Sequence, residues 1–254
     1  MRMQSESLMN GRPRAWPRLA TRLGAPVAMA LLLAACSVVP KDSPEAGRAK
    51  LSLPVAQAGG QWVDLGGGEE SLDSLDPTLP APTLPTRVVG LRGADQSLLA
   101  VMVVQSNRSG LWPDRQAARN ACPLERGVHV EDATAGSPTR TDCLRFKRWA
   151  DGYGWLASRY PKLNAYLDSH QSLPVKPFGA LDFRYNTEGG GYVLVQVLAN
   201  RRLTEPVTRG NNDFLVAGRP AEEWARKVAQ AARLSAASLD GALNLPDFPM
   251  ALPK

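Results

Sequence analysis

Histidine and cysteine are scarce in this chain, with two and three respectively among 254 residues. No Cys-x-x-Cys occurs, and His129 is the one histidine near Cys122 and Cys143, too few ligands for a zinc or two-thiol redox centre. No Gly-x-Ser-x-Gly elbow is present. The glycine run 189–191 is followed by neither a helix pattern nor a lysine, so it does not read as a phosphate loop. There is no fixed-period repeat and no βαβ alternation. Long apolar runs are absent too, and the one notable run, Ala25 to Ala35, is broken by Pro26. Eleven helical residues would span roughly 16 Å, about half a bilayer core, so a transmembrane helix is not expected. No catalytic residue, metal ligand set or cofactor motif stands out.

That apolar run has a revealing context. Arg2, Arg12, Arg14, Arg18 and Arg22 precede it against a single acid, Glu6. A basic region, a short apolar core and then small residues is the order of a secretory signal. The run ends in Leu33-Ala34-Ala35-Cys36, which resembles the lipobox of bacterial lipoproteins. The resemblance implies a diacylglycerol on the Cys36 thiol, removal of residues 1–35 and acylation of the new amino group. One acyl chain holds a protein weakly, and two or three hold it firmly. Ser37 in place of aspartate is similar to the outer-membrane sorting habit of that family. The implied partner is therefore a membrane, engaged through lipid on Cys36.

Removing the leader changes the electrostatics. The whole chain carries 30 basic and 24 acidic residues, whereas the leader takes five and one, leaving 25 and 23, a net of +2. A nucleic-acid partner loses its electrostatic support. Cys122 and Cys143 then form an even pair in an exported chain, for which a disulfide is the default. It would close a loop of about 20 residues and contribute about 3 kcal/mol in the chain-entropy model.

Residues 36–86 are rich in small residues, glycine and proline, and read as a tether, with "QWVDL" at 61–65 a short strand. About 50 loose residues would hold a domain some 35–40 Å from a membrane. The domain is expected over 87–245. "RVVGLRG" and "SLLAVMVVQSN" predict one β-hairpin, and "ALDFRYN" with "YVLVQVLAN" a second. In the latter, Leu181, Phe183 and Tyr185 share a buried face, and Asp182 and Arg184 a wetter one. A helical stretch is expected near 144–169, broken at Pro161. Arg219-Pro220 opens a helix whose face holds Trp224, Val228, Ala231, Ser235 and Leu239, stopping by Gly241. Residues 246–254 read as an extended, proline-rich surface tail. The expected fold is α+β: a small antiparallel sheet from two hairpins, helices packed on it, and one disulfide.

Six of the fifteen aromatics downstream of the leader fall within 146–166, interleaved with Arg145, Lys147, Arg148, Arg159 and Lys162. Trp149, Tyr153, Trp155 and Tyr160 offer an interaction surface for an envelope protein or glycan. The competing reading is core packing, since Trp149, Tyr153 and Tyr160 fit one helical face. The functional expectation is a non-enzymatic, lipid-anchored binding or assembly module facing the periplasm. Its rival is an envelope-polymer hydrolase built near His129 or near His170 with Asp168 and a serine. A metal held by His129, Glu131 and Asp132 rests on three scattered polar residues and is weakly supported.

Overall fold

The computed structural model describes residues 43–54, 60–72, 82–108, 122–135, 137 and 139–251. The leader and Cys36 lie outside these residues. Ten strands and five helices follow in chain order: β1 (Glu45–Ala46), β2 (Ala49–Ser52), β3 (Gln61–Glu70), β4 (Leu84–Arg92), β5 (Leu98–Ser106), β6 (His129–Asp132), β7 (Asp142–Lys147), α1 (Trp155–Arg159), α2 (Pro161–Ser169), β8 (Phe178–Asn186), β9 (Tyr192–Asn200), α3 (Arg201–Thr204), α4 (Asn211–Val216), α5 (Arg219–Ala237) and β10 (Ala242–Asn244). No helix among the described residues is long and apolar enough to cross a membrane.

The fold is α+β, on a larger sheet than two hairpins supply. Seven antiparallel strands run in the order β3-β4-β5-β9-β8-β7-β6. Two meanders, β3–β4–β5 and β6–β7–β8–β9, meet where β5 pairs with β9, Val101 opposite Leu198 and Val103 opposite Gln196. Both expected hairpins are present, and β5 is buried at every position, as its two apolar faces require. A second sheet, β1-β2-β10, ties the first described residues to the chain after α5.

Three expectations are corrected. Strands β1–β3 lie within 36–86, the segment expected to be a tether; their backbone donors and acceptors are spent in sheets, so the fold already includes the described residues from Ser43. Residues 142–147 form β7, not the start of a helix: Leu144 and Phe146 point to one core and Cys143 to the other, a period of two. The tail is not wholly superficial: Phe248 is buried against Trp224, their rings 4.7 Å apart.

Each face of the large sheet carries its own cover. On one, Met102, Leu144, Phe183, Val195 and Val197 pack against Trp224, Val228 and Ala229 of α5. Small residues Ala221, Ala225, Ala229 and Ala232 let this helix approach the sheet closely. Leu239, expected on the same stripe, is fully exposed beyond the helix end. On the other face, Val101, Val103, Cys143 and Leu198 meet Leu156, Tyr160, Leu163 and Leu167 of α1–α2. Pro161 occupies the first turn of α2, where its missing N–H is harmless, and pushes Tyr160 out of helical geometry, separating α1 from α2. Cys122 and Cys143 are joined, tying the segment before β6 to the centre of this face.

The N-terminal strands fix a polarity along the sheet. The Arg48 N–H donates to the Asn107 carbonyl at the exit of β5 (3.2 Å). The Asn107 side chain in turn donates to the Gly190 carbonyl in the β8–β9 turn (2.7 Å). Gly241 has a φ of 69°, and a Cβ there would sit 1.9 Å from the Arg48 carbonyl oxygen, so only glycine allows β10 to reach β2. Ser43 therefore enters at the end where β5 finishes. The outer end, where β7 and β9 finish and β5 and β8 begin, lies a strand length away, about 30 Å for nine residues.

Candidate functional site

Two groups of side chains depart from what a simple core requires. The first is a polar row buried beneath α1–α2. Arg145, Asp182 and Gln196 are directly opposite one another across β7, β8 and β9. All three are buried, as is Arg184 two positions along β8. The Arg184 guanidinium donates to both Asp182 oxygens (3.0 and 3.3 Å), and the Gln196 amide donates to Asp182 Oδ2 (2.9 Å). Burial opposes the charge on Arg184, and the adjacent Asp182 more than restores it, raising its pKa. The face expected to be wet is thus closed, and its charges are satisfied internally.

Arg145 links this row to the cover. Its guanidinium pairs with Glu125 and donates to the Tyr160 hydroxyl (3.3 Å). Glu125 also accepts from Trp155 Nε1. Burial works against the Glu125 carboxylate, but the Trp155, Arg145 and Arg159 contacts outweigh it and hold its pKa below the usual range. Burial, with the Asp182 charge, pushes the Tyr160 hydroxyl well up, so it stays protonated. A cavity of about 10 Å³ remains between this row and α1–α2, the space of a single water.

The second group is at the outer end. Trp149 stacks on Phe214 (5.2 Å between centroids, 18° between planes). Arg148 lies over both rings (5.0 and 4.8 Å), and Arg201 lies over Trp149 (4.8 Å). Glu205 fixes both arginines: Arg148 donates to its two oxygens (2.9 and 3.0 Å) and Arg201 to Oε2 (2.9 Å). Burial disfavours the Glu205 carboxylate, and the two guanidiniums overcome that and lower its pKa. Beside this cluster opens a groove of about 660 Å³, lined by Pro177, Arg201, Glu205, Pro206, Val207 and Met250, among others.

The four aromatics singled out from the sequence divide between these groups. Tyr160 is core, and Trp155 is half-buried and spent on Glu125. Trp149 is 41% exposed at the outer end, and Tyr153 is fully exposed. Tyr153 sits in the left-handed region (φ 52°), followed by Gly154 in the same conformation. A tyrosine held at positive φ with its ring in solvent is a strained way to make a turn.

The histidines do not assemble a nucleophile. His170 Nδ1 lies 2.8 Å from the Tyr166 carbonyl oxygen, so that nitrogen carries the proton. Ser169 Oγ also lies 3.1 Å from that nitrogen, but its hydroxyl donates to the same Tyr166 carbonyl (2.9 Å) and faces a protonated Nδ1, which cannot take its proton. His129 Nε2 lies 2.6 Å from Glu131, which is also paired with Arg226. No group of three metal-ligating side chains occurs among the described residues.

Asp182 and Arg184, expected on a wetter face, are buried instead, and Glu125, Gln196, Glu205 and Val207 carried no site expectation from the sequence. A signal was present for Gln196, the one polar residue inside "YVLVQVLAN" before its last position. No protein-family model, curated protein or solved structure matches this chain.

Proposed function

We propose that the protein is a lipid-anchored binding module of the bacterial cell envelope. It is acylated at Cys36, held at the outer membrane facing the periplasm, and presents a partner-binding end without transforming what it binds. The supporting observation is where exposed apolar side chains collect. Nine large ones occur among the described residues, and six of them, Trp149, Tyr153, Val175, Val207, Leu215 and Val216, lie at the outer end. Monomeric surfaces scatter such residues, and a concentration marks an interaction site. Ser43 enters at the opposite end. Only six residues separate Cys36 from Ser43, a reach of about 24 Å when extended. A lipid at Cys36 would keep the entry end close to the bilayer and turn the outer end toward the periplasm.

The anchor is tested by Cys36→Ala. Incorporation of labelled fatty acid should be lost and uncleaved precursor should accumulate; labelling that survives the change refutes acylation at this residue. Partner binding at the outer end is tested by placing a photo-crosslinker at Val207 or at Leu239 in cells. Adducts confined to Val207 are expected. Equal adducts at both positions would remove the assignment of the binding end.

A further inference from the structure

We infer that the outer-end groove docks an extended segment of a protein partner in which a carboxylate stands beside a large apolar side chain. The inference rests on the chain being a binding module, and is independent of the lipid on Cys36.

Charge comes first. Glu205 and the nearby Glu222 balance Arg148 and Arg201, so the positive excess at the groove is supplied by the exposed cations around it. Arg201 is held in place by Glu205 and Trp149, and its Nε–H is buried without an acceptor among the described residues, so the donors open to a ligand are those of its neighbours. Arg202, in the groove wall, is exposed and joins no ion pair among the described residues. Arg209 and Lys176 flank the same region, also exposed; the nearby Asp213 carboxylate accepts the Arg209 backbone N–H (3.3 Å). The exposed planar fork of Arg202, in the groove wall, is suited to a carboxylate.

The apolar half of the site is supplied by Val207, which is 94% exposed, together with Pro177, Pro206 and Met250. The other occupants fit less well. A glycan would stack on an open Trp149 face, but Phe214 and two guanidiniums lie against that ring and leave it only partly open. A second copy of this chain, related by a two-fold axis, would bring the same cations face to face. A bilayer presents a plane, and a plane leaves a 660 Å³ concavity unfilled.

The experiment is selection of a phage-displayed random peptide library on the mature, full-length protein. The selected peptides are then synthesised and measured by fluorescence polarisation against wild type, Val207→Asp, Arg202→Glu and Leu239→Asp. All three substitutions fall on exposed side chains, and circular dichroism verifies folding. Enriched peptides should share an aspartate or glutamate next to a large apolar residue. Affinity should fall at least tenfold in Val207→Asp and Arg202→Glu, and should be unchanged in Leu239→Asp. The inference is overturned by a selection that enriches nothing, by peptides without an acid, or by binding that survives both groove substitutions. It is equally overturned if the groove substitutions instead abolish a dimer on gel filtration or adhesion to phosphatidylglycerol vesicles. None of these failures would touch the acylation result at Cys36.

Discussion

The two faces of the seven-stranded sheet are made by alternate residues of the same strands, and they solve different problems. Toward α5 the strands offer Leu144, Phe183, Val195 and Val197, and the helix answers with Trp224, Val228 and four alanines. Toward α1–α2 the next residues along are Cys143, Arg145, Asp182 and Gln196. One face is a dry core whose contribution scales with area removed from water. The other buries charges that must be matched atom by atom and gain little net stability from it. Both faces bury apolar side chains, but the α1–α2 face adds a polar row that fixes how its cover is seated.

Substitutions can break this contrast. Phe183→Ala, on the dry face, should cost about 3–5 kcal/mol in urea unfolding, the range for a fully buried phenylalanine. Asp182→Leu, on the polar face, should cost a similar ~3–5 kcal/mol, because Arg184 loses its counter-charge. The faces should then diverge. A triple Asp182→Leu, Arg184→Met, Gln196→Leu variant should recover to within about 1–2 kcal/mol of wild type, since a buried ion pair is replaceable by apolar groups of similar size. A triple variant as unstable as the single one would show that the polar row is itself a main source of stability.

Replacing both Cys122 and Cys143 should lower stability by about 3 kcal/mol through the freed loop of the unfolded chain. The measurement is urea unfolding of the double variant beside oxidised wild type. Because the effect acts on the unfolded chain it should be global, speeding exchange of the slowest α5 amides as much as those of the α1–α2 side.

Acid should act through the charged clusters. Glu125, Glu131 and Glu205 all have pKa values lowered in the fold. Their contribution is complete above the unfolded carboxyl value of about 4.3 and is lost as pH falls through the lower folded values. Tm should be flat from pH 7 to about 5 and fall below that, with a shallower fall in Glu125→Gln and Glu205→Gln. An unchanged acid limb in both variants would assign it to other groups. The smallest effect concerns Tyr153. Tyr153→Gly should stabilise by about 1 kcal/mol, by relieving the left-handed backbone without losing packing. A loss of stability would mean that the ring has a structural contact.

Much of the α5 side was legible in the sequence. Alternation in "ALDFRYN" and "YVLVQVLAN" places the right residues inward, and Pro220 with the spacing of Trp224 and Val228 sets the helix start and its buried face. The polar side was not. Asp182 and Arg184 look solvated because alternation reports which residues share a face, and says nothing about whether that face is later covered. The cover comes from α1–α2, twenty residues upstream, and Glu125 comes from further still. β1 and β2 were missed for a related reason. β1 and β2 form a hairpin of only two and four residues, and the further partner of β2, β10, lies nearly two hundred residues away and pairs in parallel, so little local pattern announces the sheet. At the outer end, Trp149 and Tyr153 could be named from composition. Arg201, Glu205 and Val207 reach the same place only because β7 and β9 finish side by side across β8.

The pairing of β2 with β10 bears on how the molecule responds to tension. A pull on the chain upstream of Ser43 enters through strands of two and four residues, secured by bonds such as Lys50 N–H to the Gly241 carbonyl (2.9 Å). Behind them stand strands of nine residues in a seven-stranded sheet. Yet Ala46, Ala49 and Leu51 of those short strands are buried in the same core as α5 and the large sheet. Load entering at Ser43 is therefore resisted by packing as well as by the few bonds of the small sheet, and peeling residues 43–54 would unroof the α5 core from its entry end while the groove lies at the far one.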